Sequence, residues 1–394
     1  MPRYPFTPEV LDSMPEPLAK LFRGLEDTLL IEICKRLKKA GELNEVTVEA
    51  IRALRSHGID LKEIEEAISS ATEIGEKELN KLLDDVISRY QNYAKEMLTI
   101  AAITTPKLMI NDVDVEAIRK QALSEYRNIT RSMGFVGMSN SQKVMSALEA
   151  YQWALDQAEL EVMSGAIDYN SAIRKAVKGL ADSGLKTVDW ESGHRDQVDV
   201  SVRRAVMSSI NRMNTVYMET LQDDLETDLV EVTAHAGARN TGYGIENHAS
   251  WQGKVYRWSK KPKTSKGKYK DFELTTGFGQ GAGLGGWNCY HRYYPYIEGV
   301  SYRTYTDEDL KKIDKPPFVY QGKEYNQYEA SQEQRRVERT LRKLRREAKA
   351  YEAAALSEDA QAVNIRIKRL RKYYDAFSKK AGLPTQYERA AVTY

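Results

Sequence analysis

Ten residues, Gly277 to Gly286, contain six glycines, and no other feature restricts the fold of this chain so tightly. Glycine loses more backbone freedom on ordering than any other residue and brings no side chain to pack. The run therefore reads as a loop, not a helix or strand. It lies inside a longer stretch, Glu231 to Gly299, that differs from everything around it. EVTAHAGARNTGYGIENHASWQGKVYRW leads in, a basic Lys/Ser/Gly loop follows, and GLGGWNCYHRYYPYIEG closes it. Three of the five histidines (His235, His248, His291), one of the two cysteines (Cys289) and three of the five tryptophans (Trp251, Trp258, Trp287) fall here.

The segments on either side are helical in pattern. Prolines at 2, 5, 8, 15 and 17 first predict an extended or turn-rich arm. Its Tyr4, Phe6, Val10 and Leu11 either lie on another molecule or pack on the arm's own domain. Leu25, Leu29, Ile33 and Leu37 then recur at helical spacing, with Gly41 as a stop. Val48, Ile51 and Leu54 continue the pattern to Gly58. Asp60 and Glu63 form a capping-box pair that opens a helix carrying Ile64, Ala67 and Ile68. A further helix carries Leu79, Leu82, Leu83, Val86, Ile87 and Tyr90. Cys34, beside Ile33, reads as a buried structural thiol.

Helical spacing returns from Gln142 to Met163, ending at Gly165, and again in DYNSAIRKAVKGLADSG, ending at Gly184. LKTVDW alternates and predicts a strand, ESGH a turn. A long helix follows from about Asp196 to near Gln222; on it Arg203 and Arg204 either face solvent or meet a carboxylate or phosphate. Beyond the insert, Thr306–Asp307 starts a short helix, Pro316–Pro317 breaks the chain, and FVYQGKEY predicts a β-hairpin with a Gln-Gly turn.

From Ser331 the apolar residues Val337, Leu341, Leu344, Ala348 and Tyr351 form a heptad stripe, which Val363, Ile367, Leu370, Tyr374 and Phe377 repeat. Ser357 to Asp359 between them marks a helix start, so an antiparallel helical hairpin is expected. Between Ser331 and Lys372 thirteen Lys/Arg face six Asp/Glu, a local excess of seven in a chain whose formal net charge is +2. Arg335, Arg336, Arg342, Lys343, Arg345, Arg346, Arg366, Lys368, Arg369, Arg371 and Lys372 are thus the candidate contacts for nucleic acid or an acidic partner.

Composition narrows the class. A chain of 394 residues with 41% hydrophobic and 29% charged residues suits a soluble globular protein of two or three domains. No apolar run approaches the roughly 18–20 residues of a membrane span, and MPRYPFTPEVLDSMPEPL lacks the apolar core of a signal peptide. Two cysteines far apart in sequence predict no disulfide framework and a reducing compartment.

Within the insert, LVEVTAH and GKVYRW predict strands, and Asn247 stands at the N-cap position of a short helical element. Cys289-x-His291 places a thiolate and an imidazole on one side of an extended chain. His235 and His248 complete a CysHis₃ set acceptable to tetrahedral zinc. The plainer alternative is that these side chains hydrogen-bond within a loop-rich core. His235, Arg239, Asn247, His248 and Cys289 also permit a catalytic reading, with Cys289 as nucleophile and a histidine as base. An HNH-like nuclease would draw metal ligands from Asp228 or Asp271. No P-loop, GxSxG, HExxH or Rossmann fingerprint accompanies them.

Ala238-Arg239, His248, Gly253, Val255-Tyr256, Gly286-Trp287-Asn288-Cys289 and Pro295 together resemble the Mu F-type phage head morphogenesis domain. YPFTPEVLDSMPEPLAKLFRGLED, DYNSAIRKAVKGLADSG and SGHRDQVDVSVRRAV are similar to the phage minor capsid protein 2 family, so the resemblance extends from the start to about Gly299. The domain signature comprises Arg239, Gly253, Trp287, Asn288, Cys289 and Pro295. Two departures stand out. Cys289-Tyr290-His291 replaces the frequent Cys-Arg-Cys, and Ala234-His235 stands where an acidic residue is usual. The basic hairpin lies outside the resemblance.

The resemblance implies a minor structural component of a tailed-phage head, made in the host cytoplasm and carried in the virion in few copies. Its implied partners are the portal protein, other capsid or scaffold proteins and packaged double-stranded DNA, with no membrane. A virion-packaged metal-dependent nuclease and a DNA-binding accessory protein are the other readings. The expected architecture is mainly α. An N-terminal helical domain spans 1–100 and is the candidate portal-docking part; a central helical region spans 101–230. A small α+β Mu F-like domain occupies 231–300, a linker and hairpin 301–330, and the basic helical hairpin 331–394. Zinc is the one candidate cofactor.

Overall fold

The computed structural model describes residues 3–41, 62–103, 112–136, 144–164, 167–188 and 195–390. Over these the protein is mainly α with small sheets, as the apolar periodicity predicts. The expectations for Val48 to Asp60, for the Gly165 stop and for the ESGH turn lie outside the described residues. Two compact units are present. Met1–Pro17, Lys77–Glu125 and Arg203–Gln332 make one; Leu18–Glu76, Tyr126–Val202 and Glu333–Tyr394 make the other.

The first unit carries a three-stranded antiparallel sheet in the order Val255–Arg257, Leu229–Val232, Tyr293–Tyr296. Alternation in LVEV predicts one wet face, yet all four central-strand residues are buried. The N-terminal arm is one reason. Tyr4 stacks on Tyr294 at 4.2 Å between ring centroids and donates a short hydrogen bond to the Glu231 carboxylate. Thr304 supplies two more donors to that carboxylate, its N–H and its hydroxyl, each at 2.8 Å. Phe6 is fully buried, 4.9 Å from the Tyr90 ring. The arm therefore packs on its own unit.

Nor is the arm extended throughout. Thr7 caps a six-residue helix, Pro8–Ser13, with Pro8 in the first turn, where its missing N–H is not needed. Pro295 sits on an edge strand opposite Val230, a position in a sheet that tolerates proline. Arg203 meets the Glu16 carboxylate, the second of its two expected settings. In the FVYQGKEY hairpin Phe318–Tyr320 pairs with Lys323–Tyr325. Gln321 and Gly322 both take positive φ, 48° and 81°, the type I′ geometry that follows strand twist.

In the second unit, helices Ala147–Met163 and Tyr169–Ser183 pack together. The first begins at Ala147, later than its apolar pattern suggests, because Ser146 and Glu149 form a capping box. Val144 lies instead in a short strand paired with Phe135–Val136. Asp196 likewise belongs to strand Arg195–Gln197, paired with Lys186–Val188, and the long helix starts at Val198. The expected heptad hairpin is present in helices Gln327–Ala353 and Ser357–Ala381. Val337, Leu341 and Tyr374 are buried together, and Ile367, Leu370 and Tyr373 pack against them. Cys34 is fully buried, and burial pushes its thiol up, as expected of a structural cysteine.

Beside this hairpin lies a buried ionic network. Glu26 is 1% exposed. It accepts from Arg342 at 3.1 Å, from Arg346 at 3.2 Å and from the Leu185 N–H at 2.7 Å. Arg342 also donates to Asp199, and Lys349 pairs with Asp27 at 3.0 Å.

Helix Lys62–Ile100 runs unbroken for 39 residues, where the sequence suggests two helices. Gly75 in its interior is kept for steric reasons. An added Cβ would lie 1.8 Å from the Tyr126 hydroxyl, which donates to the Ala71 carbonyl at 3.1 Å. Helix propensity alone would make Gly75→Ala stabilising by about 1 kcal/mol. Overpacking reverses the sign, and a net loss of about 1–3 kcal/mol is expected in urea unfolding. Tyr126→Phe in the same chain should recover part of it by removing the closest atom.

Candidate metal centre

Three residues from two separate parts of the insert converge in the first unit. His248 opens the one-turn helix His248–Trp251, while Cys289 and His291 precede strand Tyr293–Tyr296. They are 2%, 4% and 1% exposed. One ligand atom from each lies within 4.8 Å of the others, and no carboxylate among the described residues joins the group. Cys289 Sγ stands 3.6 Å from His291 Nδ1.

Hydrogen bonds settle the imidazole tautomers. Gln252 Oε1 accepts from the backbone N–H of His235 at 3.0 Å, so that atom is the oxygen. It also lies 3.0 Å from His291 Nε2, which must therefore carry the proton and leave Nδ1 bare toward the sulfur. His248 Nε2 lies 2.9 Å from the Ala282 carbonyl and must donate as well. Burial pushes the His248 pKa down to about 4. Burial, then the nearby His235 and His248, push His291 well below the ordinary histidine range. Burial also pushes the Cys289 thiol up, against an opposing pull from the Gly285 backbone and Arg292. At neutral pH the cluster is two uncharged imidazoles and a thiol.

The glycine run makes this packing feasible. The loop turns back on itself, Leu284 N–H donating to Thr276 O at 2.9 Å and Trp287 N–H to Gly281 O at 2.7 Å. A Cβ on Gly283 would fall 2.2 Å from the Gly277 carbonyl oxygen, so no larger residue fits that crossing. The coil sets Ala282 where its carbonyl meets His248.

Of the four expected ligands, the structure gathers His248, Cys289 and His291. His235 stands beside them. Its half-buried ring is 4.5 Å from that of His291, and its Nδ1 faces the Ala236 carbonyl at 2.9 Å. Asn247 occupies the N-cap position of its helix, but its side chain makes no capping bond there. Among the signature residues, Arg239 donates to the Trp287 carbonyl at 3.0 Å. Asn288 takes a φ of 55°, and Gly253 one of 66°. Trp287 is 67% exposed.

The carboxylates considered for a nuclease are committed elsewhere. Asp228 is buried and accepts from Arg257 Nε at 2.9 Å, Ser265 N–H at 2.9 Å, Ser265 Oγ at 3.0 Å and Thr264 Oγ1 at 3.1 Å. Asp271 caps helix Phe272–Thr276 through the Leu274 N–H and accepts from Ser259. Both hold the basic loop in place.

Sequence reasoning overlooked Gln252, whose amide links His235 to His291, and Arg292. The Arg292 guanidinium is 1% exposed, with Nε and Nη2 lacking a hydrogen-bond partner. Nothing in YHRYYPY marks it as different from a surface arginine.

The basic residues of the C-terminal hairpin divide into two sets. Arg342 and Arg346 are buried in the ionic network and leave the list of exposed contacts. Arg336 pairs with Glu333, Lys343 with Asp182, and Arg345 donates to the Ala390 carbonyl; Arg335 is half-buried. Arg366, Lys368, Arg369, Arg371 and Lys372 are exposed on helix Ser357–Ala381. Arg366 lies 3.8 Å from Glu347, and Arg371 sits over the Tyr387 ring.

The phage minor capsid protein 2 family matches residues 6–378, and this chain belongs to it; the match runs past Gly299 into the basic hairpin, which the motif resemblance leaves outside. A protein described as a structural protein of Lactococcus phage LL-H is 27% identical over 282 residues, covering 69% of this chain and 70% of the relative. No solved structure matches the chain. Membership makes the protein a virion component whose partners are other virion proteins. Among the described residues no helix is long and apolar enough to cross a membrane.

Proposed function

We propose that this protein is a few-copy minor capsid protein that associates with the portal vertex, faces the head interior and contributes to head morphogenesis. The family match over residues 6–378 carries this reading. Residues 231–300 serve in it as a small Mu F-like domain, whose role is to build the particle. Helical regions at either side supply surfaces for docking to portal or scaffold helices.

Co-purification from assembled heads tests the assignment. Portal complexes released from heads are expected to retain this chain at a stoichiometry far below that of the major capsid protein, and cross-links are expected to join it to the portal. Mature heads that lack the chain, or cross-links confined to other shell proteins, would end the portal assignment.

The exposed side chains of Arg366, Lys368, Arg369, Arg371 and Lys372 on helix Ser357–Ala381 favour a second role, contact with packaged double-stranded DNA. Phosphate contacts make such binding fall steeply with salt, by a slope of roughly −0.9 per phosphate neutralised. Reversing Lys368, Arg369 and Lys372 to glutamate is expected to flatten that slope; an unchanged slope would remove DNA from the partners of this helix.

A further inference from the structure

We propose that His248, Cys289 and His291 form a three-ligand binding site for Zn²⁺. The inference is independent of the portal assignment, since it rests on side-chain geometry within one compact unit.

Three observations carry it. With Zn–S near 2.3 Å and Zn–N near 2.05 Å, two ligands on one edge of a tetrahedron stand about 3.6 Å apart. Cys289 Sγ and His291 Nδ1 are separated by 3.6 Å. The ligand atom of His248 completes a triangle no wider than 4.8 Å, so closure on an ion needs side-chain shifts on the order of 1 Å. Next, each imidazole is held by a hydrogen bond at Nε2, which leaves its Nδ1 bare. His291 Nε2–H donates to Gln252 Oε1 and His248 Nε2–H to the Ala282 carbonyl. Metal-binding histidines are oriented in this way, the outer hydrogen bond fixing the tautomer that turns a bare nitrogen to the ion. Finally, the Gln252 oxygen is itself fixed by the backbone N–H of His235 at 3.0 Å, so the supporting layer is built as well as the ligands.

The donor set selects the metal. One sulfur and two imidazole nitrogens suit Zn²⁺, whereas Mg²⁺ and Ca²⁺ require oxygen ligands. On binding, the Cys289 S–H bond breaks, its proton passes to solvent, and the sulfur lone pair forms the bond to the metal. Each uncharged imidazole donates its lone pair without losing a proton. His235 remains outside the set, since the group whose ligand atoms lie within 4.8 Å of one another holds His248, Cys289 and His291 without it.

The test uses the full-length protein purified without chelator, then stripped and reloaded with Zn²⁺ or Co²⁺. Stoichiometric zinc by elemental analysis is expected, and Co²⁺ should give the sulfur-to-metal charge-transfer band and intense visible bands of a tetrahedral thiolate site. Cys289→Ser should abolish the charge-transfer band, and His248→Ala should lower zinc occupancy at least tenfold, while His235→Ala keeps the metal. If the wild-type chain takes up neither ion after reloading, the site does not exist, whatever the variants do. Metal retained by Cys289→Ser would place it elsewhere. Equal loss in His235→Ala and Cys289→Ser would overturn the three-ligand assignment in favour of four protein ligands.

Discussion

Glu26→Ala is expected to lower the stability of its unit by about 3–5 kcal/mol, the range for breaking a buried ion pair from one side. The alanine would leave Arg342 and Arg346, both buried, without the carboxylate they share. It would also strip the Leu185 N–H of its acceptor. Unfolding in urea followed by circular dichroism measures the loss. Adding Arg346→Ala should cost less than the sum of the two single changes, because the second removes a charge that the first orphaned. Additive losses would show that the network is not coupled.

The same residue sets an acid limit. Burial alone would raise the Glu26 pKa, but Arg346, Arg342 and the Leu185 N–H outweigh it and hold the carboxyl below its ordinary 4.5. The stabilisation is therefore present above pH 4.5 and lost as pH falls through the lower, folded-state value. Its neighbour Asp27 behaves in the opposite sense. Burial, only partly offset by Lys349, pushes Asp27 from 3.8 to about 6. Its contribution is complete below 3.8 and lost as pH rises to about 6. Asp27→Asn should flatten the stability profile in that window while leaving the acid limb, and Glu26→Gln should do the reverse.

Phe6→Ala is expected to cost about 3–5 kcal/mol, the usual penalty for emptying a buried phenylalanine site. Phe6 lies against Tyr90, which stacks on Tyr217 at 5.2 Å and donates to Asn214 at 2.9 Å. The cavity would thus open beside residues whose polar tips are already committed and cannot collapse inward. Limited proteolysis should cut the N-terminal arm faster in the variant, alongside a reduced unfolding midpoint. Unchanged stability and unchanged cleavage would mean that the arm belongs on another molecule, the alternative that the sequence left open.

Much of the fold is local and was therefore legible. Heptad spacing announced the C-terminal helices, Gln321-Gly322 announced a hairpin, and the glycine run announced a loop. Element starts were less legible where a cap or a strand competes with periodicity. Ser146 and Glu149 begin their helix after the apolar pattern has already started. The pattern suggests two helices between Lys62 and Ile100, yet one helix runs through, with Tyr126 packed against Gly75 in its interior. At the candidate centre, strand periodicity put Cys289 and His291 on one side. The sequence offered no reason to select His248 over His235 as their companion. That choice depends on Gln252 and on the Ala282 carbonyl, which come from other turns of the insert.

Charge shows the division most clearly. Counting residues established that the segment from Ser331 to Lys372 carries more Lys/Arg than Asp/Glu, and the heptad stripe established that it forms helices. Neither could tell an arginine that faces water from one that neutralises a buried acid. Arg342 and Arg346 differ from Arg366 and Arg369 only in what lies opposite them, and Glu26 is more than 300 residues away in sequence. Short-range pattern encodes which side of a helix is apolar, because backbone geometry repeats every few residues. It does not encode which distant carboxylate meets a given guanidinium, since that follows only from the assembled packing of the unit.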